Sequence, residues 1–206
     1  MTHRLSTDAI YENIFLVLNM CYAAEKFAKS HDLTTYDDTD FVNGPYYVGL
    51  LRNQLSERLV EISIKTRIIL DLIGKEEAIY KKNGDTYPIC TRDIDDRITG
   101  DLNIGYLTPS KVHLTIREAA NKIIHALEVI LITELGEGEH DLDEESPLKR
   151  DWSYWNGILE LRGTKGPEEW SLILHVPEFC RAVHEFVSEL EVNVDWKSIH
   201  YDLDCF

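Results

Sequence analysis

The segment from Thr115 to Leu131, TIREAANKIIHALEVIL, constrains the fold more than any other part of the sequence. Thr115 and Glu118 have the spacing of a capping box, in which the threonine hydroxyl accepts from the amide of residue 118 while the glutamate reaches back. We therefore predict that a helix begins at Thr115. Its apolar residues recur at three- and four-residue spacing, so that one face should be buried in a core: Ile116, Ala119, Ala120, Ile123 and Leu127.

Three other segments show helical periodicity. One extends from Thr7 to about Ser30, and a second extends from about Val48 to Ile73. The second is apolar around much of its circumference, which is typical of a central helix. The last helix is predicted to begin at Pro177, since proline is favoured in the first turn of a helix.

Strands are predicted between the Thr115 helix and the last helix. Three segments have the composition of strands, the first of which could instead extend the preceding helix: 128–135, 154–163 and 170–176. A turn at Gly166-Pro167 separates the last two, and an acidic segment, 136–151, separates the first two. These segments favour a small antiparallel sheet. The aromatic group Trp152, Tyr154 and Trp155 is expected in its core, or else as an exposed patch that stacks a base or anchors a partner.

Together these elements predict a single domain, residues 1–206, of mainly α (α+β) class. We expect a bundle of about four helices with the small sheet inserted between the Thr115 helix and the last helix, so that a β-hairpin and a helix form the C-terminal portion. Residues 78–106 have no sustained period and are predicted to be a long loop. Such loops are uncommon in compact domains unless they are functional. This one collects positive charge and could close over a site: Lys81, Lys82, Arg92 and Arg97.

The net charge of −16 limits the partners that this chain can bind. Its long-range field repels nucleic acid, which is bound by proteins that displace counterions with Lys and Arg. RNA binding therefore requires a local basic pocket, formed within one chain or across an oligomer. The same charge suits a protein that docks on a basic protein partner or imitates nucleic acid, or one whose acidity serves solubility alone.

The sequence gives no indication of a membrane segment, a metal centre or a bound cofactor. No apolar run approaches the ~20 residues that span a bilayer, and the N-terminus lacks the pattern of a secretory signal. The four cysteines are scattered, as expected of free thiols in a reducing cytoplasm. Walker loops and dinucleotide-binding glycine motifs are absent from the sequence. We predict a cytoplasmic protein that requires no cofactor.

The chemically informative residues are Arg117, Asn121 and His125, which follow each other at four-residue steps along the Thr115 helix. His transfers protons near neutral pH, Arg holds a phosphate with two hydrogen bonds, and Asn can orient either group. The set suits metal-independent RNA cleavage, in which the ribose 2′-hydroxyl attacks the adjacent phosphate. The structural alternative is that Arg117 pairs with a carboxylate and the other two make hydrogen bonds between packed helices.

The run Asn121-Lys-Ile-Ile-His125-Ala resembles the signature helix of HEPN domains, helical-bundle proteins of RNA processing and prokaryotic defence. Their motif places an Arg, usually followed by Asn or another polar residue, before a His with four to six residues between. Asn121 and His125 match the polar residue and the His, whereas Ala120 stands where the Arg would be and Arg117 lies one turn earlier. The resemblance implies a homodimer through the motif helix and a composite ribonuclease site.

Two functional hypotheses follow. The first is a HEPN-like protein of bacterial or prophage origin that acts on RNA in a defence or toxin–antitoxin system. His125 would then be the acid and base, Arg117 the phosphate clamp and Asn121 the orienting group. The second is a non-catalytic acidic protein that inhibits or docks on a basic partner, with Arg117 and His125 in structural hydrogen bonds.

Overall fold

The computed structural model describes residues 7–31, 44–75, 79–82, 85–88, 90–136 and 152–194. Within these ranges the chain forms five helices and seven strands. The helices are α1 (Asp8–Ser30), α2 (Gly44–Lys75), α3 (Thr91–Asp101), α4 (Ile116–Ile124) and α5 (Val176–Asn193). The strands are β1 (Ile79–Lys82), β2 (Asp85–Pro88), β3 (Gly105–Thr108), β4 (Val112–His113), β5 (Glu128–Leu135), β6 (Ser153–Lys165) and β7 (Glu168–His175).

Five of these strands form one antiparallel sheet in the order β4-β3-β7-β6-β5, and β1 pairs separately with β2. Strands β6 and β7 form a hairpin whose two-residue turn contains Gly166 at φ +63°, a left-handed conformation that glycine adopts without strain. Both the hairpin and the antiparallel sheet confirm the prediction. The mixed α+β class is also confirmed, whereas the bundle of about four helices is not: within the described part the helices contact one another and the sheet, chiefly through α1 and β6.

The core lies between the sheet and the long helices. Helix α1 contacts α2, α5 and β6, and α2 contacts α4. The largest fully buried side chains come from these elements, among them Phe179 and Phe186 of α5 and Leu55 and Ile62 of α2. Burying a side chain of this size stabilises the fold by roughly 1.5–3 kcal/mol. The five helices and strands β6 and β7 thus contribute to one hydrophobic core.

The prediction of a long loop over residues 78–106 is wrong. This region contains β1, β2, α3 and the start of β3. Helix α3 has only 11 residues and buries only Thr91, Asp95 and Ile98, so the four-residue spacing of Ile94 and Ile98 is a weak helical signal among the neighbouring turn residues. Arg97 pairs with Glu189 of α5 and Arg92 pairs with Asp96. Arg97 therefore helps to hold α3 on the protein instead of serving in a lid.

The Thr115 helix is shorter than predicted. Helix α4 ends at Ile124, and residues 128–135 form strand β5, one of the strands that the sequence predicted. Leu127, which was expected in the core, is 76% exposed. The amide of Leu127 donates to the carbonyl of Arg162 at 2.8 Å, so that pairing with β6 begins two residues after His125. Most of the acidic segment 136–151 lies outside the described residues, which resume at Trp152.

The first turn of α4 has all of its backbone donors satisfied. The capping box forms as predicted, with Thr115 accepting from the amide of Glu118 at 3.2 Å. Asp95 of α3 adds a second cap, because its two carboxylate oxygens accept from the amides of Ile116 at 2.6 Å and Arg117 at 3.0 Å. The amide of Ala119 donates to the Thr115 carbonyl. These contacts join α3 to α4 and define the position of α4.

Asp95 is 3% exposed, and burial raises the pKa of its carboxyl despite the two backbone hydrogen bonds, which lower it. Replacing Asp95 by Asn should destabilise the protein by about 1–3 kcal/mol, because the amide NH₂ group faces a helix N–H and leaves a buried donor without an acceptor. Urea unfolding followed by circular dichroism measures this loss. Asp101→Asn, at an exposed position of α3, is the matched control, and an equal loss in both variants would contradict the capping role.

Candidate functional site

Arg117 lies on the flank of α4 that faces α2. Its guanidinium donates to Oδ1 of Asp71 at 2.7 Å, and Arg67 donates to Oδ2 of the same carboxylate at 3.2 Å. The Arg117 and Asp71 side chains are 38% and 44% exposed. One carboxylate is therefore shared by two guanidinium groups, and it links α4 to α2.

Asp71 has its pKa set by two opposing effects. Partial burial would raise the pKa of this carboxyl, but the hydrogen bonds and charges of Arg117 and Arg67 together hold it below its usual value. The Asp71 carboxylate is consequently ionised at neutral pH. Arg117 is thus engaged with a carboxylate, as the structural alternative for the polar row expected.

Asn121 and His125 lie elsewhere, in a cavity of about 520 Å³ between α4 and the β6–β7 hairpin, hereafter the α4 cavity. Helix geometry explains the separation, since at about 100° per residue Arg117 lies roughly 40° from Asn121 and 80° from His125. The cavity is lined by Leu107, Leu114, Glu118, Asn121, Lys122, His125, Thr164, Lys165 and Trp170. The structure therefore brings together two of the three residues of the row and leaves Arg117 outside.

His125 occupies the last position of α4, where the helix stops. It is the C-cap residue, its backbone amide donates to the Asn121 carbonyl at 3.2 Å, and its side chain is exposed. Because α4 ends here, the imidazole stands at the open edge of the cavity instead of packing against a neighbouring helix. It is accessible to a ligand.

Trp170 forms the wall of the α4 cavity opposite α4. Its ring packs on Gly163, the residue directly across the hairpin, where a Cβ atom would lie 2.3 Å from the indole and 2.9 Å from the His125 carbonyl. The ammonium of Lys122 lies 4.1 Å from the indole ring centre, a distance at which a cation is attracted to the aromatic face. Gly163 thus allows α4, the hairpin and Trp170 to approach closely.

Positive charge collects in this cavity. Burial lowers the pKa of the Lys122 ammonium, the nearby charge of Lys165 lowers it further, and Glu118 opposes both effects. Two ammonium groups and an imidazole therefore share one cavity with a single carboxylate. An anion held between Lys122 and Lys165 would relieve their repulsion.

The sequence did not identify three lining residues: Lys122, Lys165 and Trp170. Lys122 directly follows Asn121 in α4, and this position next to a predicted site residue could have indicated it. Lys165 and Trp170 flank a predicted hairpin turn, and only the packing of that hairpin against α4 makes them part of the site. By contrast, Trp152 and Trp155 are each 4% exposed, which confirms that these two aromatic residues belong to the core.

Within the described ranges, no three or more His, Cys, Asp or Glu side chains are grouped so that they could hold a metal ion. In the same part of the chain, no helix has the length and apolar character needed to cross a membrane. No protein-family model matches the chain, and no curated protein or solved structure is significantly similar to it.

The close packing at Gly163 gives a testable consequence. Gly163→Ala should destabilise the protein by about 1–3 kcal/mol, because the new methyl group overlaps the Trp170 ring and the His125 carbonyl. It should also change the emission of Trp170. Chemical denaturation monitored by tryptophan fluorescence measures both effects. Gly100→Ala is the control, since a Cβ there meets nothing within 4 Å and alanine favours the helix. A neutral Gly163→Ala variant would contradict the described packing.

The ion pairs of Asp71 give a pH-dependent prediction. Because the folded-state pKa of Asp71 is lowered, its stabilisation is present above the unfolded-state pKa and is lost as the pH falls through the folded-state pKa. Asp71→Asn should lower the unfolding free energy at pH 7 by less than about 1 kcal/mol, since the pair is partly exposed to solvent. The difference from wild type should shrink below pH 3.8. Urea midpoints at pH 7 and at acidic pH test this, and a difference that grows on acidification would exclude the assignment.

Proposed function

We propose that the α4 cavity binds RNA and that His125 makes it a metal-independent endoribonuclease site. The observation that carries the proposal is that one cavity holds Lys122, Lys165, His125 and Asn121 beside Trp170, on a chain with a net charge of −16. Such a chain can hold a polyanion only where positive charge is locally concentrated, and this cavity has that property.

Binding would use the two ammonium groups for phosphate and the neighbouring polar groups for orientation. Lys122 and Lys165 are placed to share a phosphate, while the Asn121 amide can donate to a phosphate oxygen or orient the imidazole. A single strand fits better than a duplex, because its unpaired bases can lie against an aromatic residue such as Trp170.

Cleavage would proceed by internal transfer. The ribose 2′-oxygen attacks the adjacent phosphorus, the bond from phosphorus to the 5′-oxygen breaks, and the products carry a 2′,3′-cyclic phosphate and a 5′-hydroxyl. His125 of one copy accepts the proton of the 2′-hydroxyl, and the protonated His125 of a second copy donates a proton to the leaving 5′-oxygen. The ammonium groups stabilise the charge that develops on the phosphate oxygens. RNA is required, because DNA lacks the attacking hydroxyl.

The sequence predicted Arg117 as the phosphate clamp, but in this proposal Arg117 has a structural role. Its guanidinium pairs with Asp71, so that Lys122 and Lys165 take over as phosphate clamp and Arg117 positions α4 against α2. An RNA strand that extends along α4 beyond Asn121 would reach Arg117 one turn away. A phosphate of that strand could then compete with Asp71 for the Arg117 guanidinium.

The resemblance of the α4 sequence to the HEPN signature supports a wider proposal. A protein of this kind would act in a bacterial or prophage defence or toxin–antitoxin system, as a homodimer that pairs two α4 helices. The exposed edge at His125 leaves room for a second copy, whose His125 would supply the second proton-transferring group. Light scattering should then give twice the chain mass of 23.8 kDa.

The enzyme proposal is tested with a fluorescently labelled single-stranded RNA of mixed sequence in the presence of EDTA. Wild type should cleave it, and His125→Ala should lower the cleavage rate by at least about 100-fold, the contribution expected of a general acid or base. RNA binding by this variant should persist. His113→Ala is the matched control, because His113 is exposed on β4 and lies outside the α4 cavity.

The binding step has a separate test. The double variant Lys122→Ala, Lys165→Ala should bind the RNA more weakly and show a smaller dependence of affinity on salt, since fewer phosphate counterions are released. If wild type binds no RNA, the proposal fails. If it binds RNA without cutting it, the endoribonuclease part is wrong.

A non-catalytic acidic protein remains the second candidate. The observation in its favour is that Arg117 is tied to Asp71 in a structural ion pair, and the net charge of −16 suits docking on a basic partner. In that case the His125 and Lys122 variants should leave binding to a basic protein unchanged. The exposure of His125 favours the first candidate.

A further inference from the structure

Strand β5 forms one edge of the five-stranded sheet, and among the described residues only those of β6 pair with its backbone. It has eight residues, whereas β4 at the opposite edge has two. Edge strands are usually kept short or carry lysine or proline, which prevents pairing with another chain. Strand β5 contains neither residue type, and none of its side chains is buried. The bulge beside it takes its extra residues, 156 and 157, from β6, so β5 itself continues regularly. Its outer edge is therefore suited to pairing with a further strand.

The side chains of β5 alternate between the two faces of the sheet. Val129 and Leu131 pack against the hydrophobic core, whereas Ile130 and Ile132 lie on the face that points away from it. Ile132 is directly opposite Ile158 of β6, which is also only half-buried. Apolar surface on this outer face thus continues up to the edge of the sheet.

Two carboxylates flank the two outward isoleucines of β5. Glu128 and Glu134 share their face, since side chains two residues apart in a strand point the same way. Arg162 donates to Glu128 at 3.4 Å and to Glu160 of the same face at 2.8 Å. Glu134 accepts from Asn156 at 2.8 Å, and no Lys or Arg of the described residues pairs with it. Carboxylates therefore outnumber cations on this face beside β5.

A second copy of this chain is a poor match for such an edge. With the helices of both copies on one side of a shared sheet, antiparallel pairing about Leu131 would place Glu128 of each copy opposite Glu134 of the other. Like charges directly opposite each other destabilise a sheet, and each copy carries a net charge of −16. A strand with Lys or Arg at these two positions would instead form attractive cross-strand pairs. Charge complementarity thus favours a basic partner.

We propose that β5 binds a basic extended segment of another protein as a sixth strand of the sheet. The segment has Lys or Arg at two positions opposite Glu128 and Glu134, with apolar residues between them opposite Ile130 and Ile132. Backbone hydrogen bonds provide the affinity of such a complex, and alternate side chains provide its specificity. No β5 residue lines the α4 cavity, so this inference goes beyond the proposed function and does not depend on RNA binding.

Fluorescence anisotropy of labelled peptides with the full chain tests the proposal. The peptide Thr-Lys-Thr-Val-Val-Ile-Thr-Lys has the required pattern and is named the Lys peptide. The matched Glu peptide has Glu in place of both Lys. Wild type should bind the Lys peptide at least about fivefold more tightly, because two attractive cross-strand pairs become repulsive in the Glu peptide. Raising the salt concentration should reduce this preference.

Backbone pairing has its own control. Alternate residues of a strand direct their N–H groups to opposite edges, so N-methylation of alternate residues blocks one edge of the peptide. Two versions of the Lys peptide, methylated on one alternate set or on the other, have the same charges and side chains. Only the version with an intact edge toward β5 should bind.

A charge exchange locates the interaction on β5. Glu134→Lys should weaken binding of the Lys peptide and strengthen binding of the Glu peptide, each by about threefold. Glu185→Lys makes the same change at an exposed position of α5 and should leave the ratio of the two affinities as in wild type. Circular dichroism checks that both variants are folded.

Four results overturn the proposal. These are equal binding of the Lys and Glu peptides, equal binding of the two methylated versions, an unchanged preference in folded Glu134→Lys, and no binding of the Lys peptide. If the chain binds no peptide but forms a dimer that Ile130→Lys dissociates, the occupant of the β5 edge is a second copy and the basic segment is wrong.

Discussion

The pairing of β5 with β6 is the interaction on which the site depends. Residues 115–131 have the periodicity of one continuous helix, yet α4 stops at Ile124 because the backbone of Leu127 and the residues after it pairs with β6. The β-branched run of β5 favours this outcome, since such side chains pack well on a sheet. Ending the helix here exposes His125 and brings its carbonyl against Gly163. This termination places His125 at the edge of the α4 cavity.

The opposite end of α4 is held by a residue from another helix. Asp95 accepts two hydrogen bonds from the first turn, in addition to the capping box within α4 itself. A nine-residue helix has little stability of its own, so α4 depends on contacts at both ends. The ion pair from Arg117 to Asp71 adds a third attachment, to α2. The lining residues of the α4 cavity are therefore presented by a short helix that its surroundings keep in place.

Electrostatics divide the surface around Trp170 into two regions. On one side two lysines and a histidine gather in spite of the overall negative charge, and on the other side carboxylates predominate around a neutralised arginine. The positive charge gathered in the α4 cavity is the reason why the proposed function concerns a phosphate-containing ligand such as RNA.

The sequence by itself determined those elements whose signal is local. The capping box at Thr115, the periodicity of α1, α2 and α5, and the turn at Gly166-Pro167 each follow from neighbouring residues, and each was predicted. The tertiary structure alone decided the rest. Helix α3 is short and mostly polar, so the spacing of its few apolar residues gave only a weak helical signal, and the end of α4 was set by a competing strand. The ion-pair partner of Arg117 and the cavity beside His125 also depend on residues distant in the chain, Asp71 and Trp170. Residue types predicted a polar row, but long-range packing separated Arg117 from Asn121 and His125, because Arg117 pairs with Asp71 of α2 whereas the other two line the cavity beside the hairpin.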